Sequence, residues 1–147
     1  MLENSDARVR RIWLQTSVPV VLRQGTGHKL WVRLPYSLQN RGWLGRLGRA
    51  SPNWKTTEKH WEVPAAWFDK FVNQALETYG KIYVIQPYRE QEKCAPACRS
   101  ALGHECQCSC MGANHGSGDG AGWFDVSDTF SFKWGPRELA CRLIERR

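Results

Sequence analysis

The stretch PAAWFDKFVNQALETYG (64–80), followed at once by KIYVIQPY (81–88), carries the clearest structural signal in the chain. Phe68, Phe71, Val72, Ala75, Leu76 and Tyr79 recur at helical spacing, so one face of a helix over about 64–79 is apolar. Pro64 suits a first helical turn, where the missing N–H costs nothing, and Gly80 suits the left-handed residue that closes a helix. The residues after it, rich in β-branched and aromatic side chains, read as a buried strand. Helix and strand together predict a compact α/β unit.

Toward the N-terminus, RRIWL (around 11–14), VPVVLR (18–23) and KLWVRLPY (29–36) are β-branched and aromatic, with the turn residues QGTGH before the last. They predict a β-hairpin or meander. Alternation in KLWVRL places Leu30, Val32 and Leu34 on one face and Lys29, Trp31 and Arg33 on the other. Residues 37–59 read as a basic connection with a short helix around 38–47, weakened by Gly42, Gly45 and Gly48. Toward the C-terminus, GWFDVSDTFSFKW resembles two strands around Ser127 and Asp128, and RELACRLI a final strand or short helix.

The chain of 147 residues is the size of one ordinary domain. No apolar run approaches the roughly 20 residues of a membrane span, and the start MLENSDARVRR carries no apolar segment after its charges. The expectation is a cytoplasmic protein without a membrane partner. Charge is uneven: residues 1–60 hold 11 basic and 3 acidic side chains, whereas residues 61–147 hold 10 and 11. A field concentrated in this way attracts polyanions and favours nucleic acid as a partner.

Basic and aromatic residues interleave through KLWVR, NRGWLGRLGR and NWKTTEKHW. Arg33, Arg41, Arg46, Arg49, Lys55 and Lys59 are the phosphate candidates, and Trp43 and Trp54 the candidate platforms for unpaired bases. Trp31, Trp61 and Trp67 sit in or beside regular elements and read as core.

Five of the six cysteines fall in CAPACRSALGHECQCSCMG: Cys94, Cys98, Cys106, Cys108 and Cys110. In a reducing compartment such a cluster points to tetrahedral zinc ahead of an iron–sulfur cluster or redox-active thiols, with Cys94 and Cys98 meeting two of the other three, Cys106 and Cys108 first, and the remaining cysteine, His104 or His115 an alternate ligand or a bystander. A closed site of this kind is structural. Cys141, in the run ELACRLI, reads as a small buried apolar residue. The glycine-rich GANHGSGDGAG that follows brings Asn114 and His115 near the cysteines, and with His104 they form an alternative set for a metal-dependent nuclease.

RLPYSLQN, then NWKTTEKHWEVP with its amphipathic helix, resembles the HARP domain of annealing helicases over residues 29–80, through Trp54, Lys59, Trp61 and Pro64. The resemblance implies a compact α/β unit and DNA binding with strand annealing, although no ATPase motif accompanies it. The section YVIQPYREQEKCAPAC with CQCSCMGANHG resembles small bacterial zinc-binding proteins and implies a bacterial cytosolic origin.

These readings converge on a single α+β domain over 1–147: a mainly antiparallel sheet, one principal helix at about 64–79, and a zinc-stapled cysteine-rich insertion at about 89–122. The expected function is a non-enzymatic nucleic-acid-binding module, DNA ranked ahead of RNA. The alternatives are a small metal-dependent nuclease and a regulatory module whose basic face meets a protein partner.

Overall fold

The computed structural model describes residues 7–25, 27–87, 124–134 and 136–146. Helix α1 (Ala7–Leu14) leads into strand β1 (Val20–Leu22), then β2 (Leu30–Arg33), the short helix α2 (Asn40–Gly45), β3 (Asn53–Lys55) and β4 (His60–Val63). A 3₁₀ turn (Ala65–Trp67) opens into α3 (Phe68–Tyr79), followed by β5 (Lys81–Pro87), β6 (Phe124–Trp134) and β7 (Arg137–Arg146). Among the described residues the strands form one seven-stranded sheet in the order β3-β4-β2-β1-β5-β7-β6. β1 and β5 are parallel and every other adjacent pair is antiparallel, so the class is α+β with one main helix.

Helix α3 forms where its spacing predicts, burying Phe68, Phe71, Val72, Ala75 and Leu76. Gly80 closes it at φ 85°, with its N–H donating to the Leu76 carbonyl at 3.0 Å. The Gly80 carbonyl then accepts the Arg146 N–H at 2.8 Å, pinning the helix end to the last residues of β7.

The sheet is covered on both faces. Val21, Leu30, Val32, Trp61, Val63, Ile82, Val84 and Ile144 point to the side packed by α2 and α3. Their alternates Val20, Leu22, Ile85, Leu139 and Cys141 point to the side packed by Val9 and Trp13 of α1. Cys141 is fully buried, as its apolar setting implies.

Two expectations are corrected. RRIWL is helical, because Val9 and Trp13 lie four residues apart and bury the same face against the sheet. The segment after Trp123 is one strand, with an irregularity between Ser127 and Phe130. Those three steps on β6 face only two on β7, from Leu143 to Cys141. The extra residue reverses the alternation: Val126 packs toward the α3 face, whereas Phe130, Phe132 and Trp134 pack toward the α1 face. Residues 88–123 join the end of β5 to the start of β6, at opposite ends of β7.

Candidate functional site

Strand β2 stops at Arg33, and Leu34 and Pro35 carry the chain away from the sheet toward α2. Beside that exit the β3–β4 hairpin turns, closed by the Lys59 N–H donating to the Lys55 carbonyl at 2.7 Å. The two departures leave a groove of about 550 Å³.

Trp61 and Leu34 contribute its apolar surface. Trp54, directly across the β3–β4 ladder from Trp61, leans on it at 5.1 Å between ring centroids and an angle of 57°. Trp61 is buried but Trp54 remains 40 % exposed, because β3 is the edge strand among the described residues. The Arg41 guanidinium lies 5.0 Å from the Trp61 ring centroid, within cation–π range. Tyr36 stands at the rim, 86 % exposed.

Among the described residues, three basic residues line the groove from three different places in the fold: Arg33 at the end of β2, Arg41 in α2 and Lys59 in the hairpin turn. Among the described residues no carboxylate lines it. Arg33 donates through Nη1 to the Trp13 carbonyl, and burial shifts its pKa below the ordinary guanidinium value without removing its charge. Lys59 sits at φ 59°, a left-handed conformation that costs a non-glycine residue roughly 1 kcal/mol or more. Thr16, Ser37, Asn40 and Thr56 supply the remaining polar lining. The rim segment is held in place by Asn40, buried beneath it, whose Nδ2 donates to the Pro35 carbonyl at 3.0 Å.

Of the residues expected to meet nucleic acid, the fold gathers Arg33, Arg41, Trp54 and Lys59 into this groove. Arg46 and Arg49 are exposed and Lys55 is half-buried, but none of the three lines it. Trp43 is a core residue: it is 8 % exposed, its indole N–H donates to Thr78 Oγ1 at 3.1 Å, and its ring meets Phe71 edge-on at 5.7 Å. It offers no stacking face to solvent. Sequence reasoning missed Tyr36, Thr16, Ser37, Asn40 and Thr56. The signal for Tyr36 was its place after Pro35, which takes it out of the strand.

A second cluster lies next to the groove, on the α1 face of the sheet. His60 is 1 % exposed, stacked on Trp31 at 4.7 Å and edge-on to Trp13 at 6.1 Å. Its Nε2 is 3.6 Å from a Glu62 carboxylate oxygen, too far for a hydrogen bond. Burial lowers its pKa below the ordinary 6.5, outweighing the opposing pull of Glu62 and Glu58, and Arg33 adds to the lowering.

The metal candidates Cys94, Cys98, Cys106, Cys108 and Cys110, and the alternative catalytic set His104, Asn114 and His115, lie outside the described residues. Among the described residues no helix is long and apolar enough to cross a membrane. No protein family, curated protein or solved structure gives a significant match to the chain.

Proposed function

We propose that the protein is a non-enzymatic nucleic-acid-binding module that grips phosphates at the groove between the end of β2 and the β3–β4 hairpin. The observation that carries the reading is convergence: among the described residues, three basic side chains from separate elements share one concavity with exposed aromatic rings and no carboxylate. Carboxylates would repel a polyanion, whereas arginine and lysine displace its counterions and gain affinity by releasing them. The groove also belongs to the polybasic half of the chain, so the wider field steers the same ligand toward it.

The cysteine run supports a structural role for zinc within the same proposal. Cys94 and Cys98 with two of Cys106, Cys108 and Cys110 make a thiolate set of the size tetrahedral zinc takes. Such a site contributes about 10–16 kcal/mol of apparent binding free energy to folding.

The test is titration of labelled single- and double-stranded DNA and RNA at two salt concentrations with magnesium present. Binding that weakens steeply with salt and leaves the probe intact supports the module. Shortening of the probe would instead make the protein a nuclease. No binding to any probe at low salt would reject both and leave a protein partner for the basic face.

A further inference from the structure

The aromatic rings of the groove call for more than a phosphate grip. Arginine and lysine alone neutralise a polyanion, and an edge-strand tryptophan left 40 % exposed beside them contributes nothing to that task. The ring is nevertheless held in place from below by Trp61, itself buried and flanked by Arg41. A fixed indole with an open surface, next to cations, is the arrangement on which unpaired bases stack. Tyr36 adds a second exposed ring at the rim of the same cavity.

Duplex bases have both faces covered by their neighbours and cannot use such a platform, whereas a single strand presents its bases freely. The volume, about 550 Å³, falls in the range of pockets that enclose small ligands, which suits one or two unstacked bases rather than a helix. Ser37 and Thr56 place hydroxyl groups in the lining that can pair with base or sugar edges without selecting one base.

We infer that the groove is a single-strand site, in which an unpaired base stacks on Trp54 beside Tyr36 while Arg33, Arg41 and Lys59 hold the flanking phosphates. The inference rests on the nucleic-acid reading above and adds its substrate class. DNA and RNA single strands share this chemistry, and both enter the test.

The experiment compares four probes of equal length at one low salt concentration: oligodeoxythymidylate, oligouridylate, a DNA duplex and a DNA strand of abasic sites. The first or second should bind about tenfold or more tightly than both the duplex and the abasic strand, which keeps the phosphates but has no bases. Trp54→Ala should lose about five- to a hundredfold on the single strand and little on the duplex, and Trp54→Phe should recover most of the loss. Should Trp54→Ala fail to fold by circular dichroism, Tyr36→Ala, at an exposed rim position, takes its place with the same expectation. Equal affinity for the abasic strand and the base-bearing strands, or variants that leave single-strand affinity unchanged, would overturn the inference while leaving nucleic-acid binding intact. Absence of binding to all four probes would overturn both.

Discussion

His60 shows what a single buried residue imposes. The unfolded chain titrates this imidazole near 6.5, and the folded chain, which has taken it out of water between Trp31 and Trp13, titrates it lower. Between those two pH values the unfolded state carries more protons, so His60 leaves stability intact above pH 6.5 and withdraws it as pH falls toward the folded value. Urea midpoints measured between pH 7.5 and 5.5 should decline in the native sequence, and the decline should shrink in His60→Phe. An identical decline in the variant would place the titration elsewhere.

Gly48 makes a different demand. A Cβ built there would lie 2.6 Å from the Trp67 indole, which is buried and cannot swing aside. Gly48→Ala should cost roughly 1–3 kcal/mol by urea denaturation, the usual range for overpacking. Lys59 reverses the balance between stability and function. Glycine accepts φ 59° without the steric penalty, so Lys59→Gly should leave stability unchanged or raise it by up to about 1 kcal/mol. The same variant should weaken nucleic-acid binding, because it removes one of the three groove cations. A loss of both stability and binding would show that Lys59 serves the hairpin rather than the ligand.

At the scale of elements, helix α3 and strand β5 were legible because local signals agreed with the tertiary answer: helical spacing, Pro64 before the first turn and Gly80 at the end. Helix α1 was obscured by Ile12, Trp13 and Leu14, which suit a strand by composition. The deciding signal was Val9 and Trp13 at a separation of four, and it becomes compelling only once the sheet face that receives them is known. In β6 the apparent break at Ser127 and Asp128 marks an inserted residue within one strand, which reverses the facing of the side chains beyond it. The alternation pattern registers the reversal but does not say whether the chain has turned or merely bulged.

The groove was half legible for related reasons. Arg33, Arg41, Trp54 and Lys59 advertise themselves by charge and ring. The fate of Trp43 depended on Thr78 and Phe71, supplied by a helix distant in sequence. Tyr36 and Thr56 became part of the site through chain reversals that bring the end of β2 beside the hairpin.

At the scale of the molecule, charge and metal set the remaining expectations. Metal analysis of protein purified under reducing conditions should give one zinc per chain that resists dialysis. Cys94→Ser and Cys98→Ser should each lower that content, and preparations without stoichiometric metal would remove zinc from the account. Arg46 and Arg49 lie outside the groove, so on the proposed reading a ligand held there would meet them only through the general field. Reversing their charge should therefore weaken binding less than reversing Arg41 and Lys59, and physiological salt should screen most of the difference they make.

The most direct measurement is the salt dependence of single-stranded oligonucleotide affinity for the native protein and for Arg41→Glu/Lys59→Glu, with folding verified for both. Three phosphate contacts on a single strand correspond to a slope of log affinity against log salt of about −2, and the variant should bind far more weakly with a slope near −1 or shallower. Native-like affinity and slope in the variant would show that nucleic acid binds elsewhere, and native protein that fails to bind at low salt would not be a nucleic-acid-binding module at all.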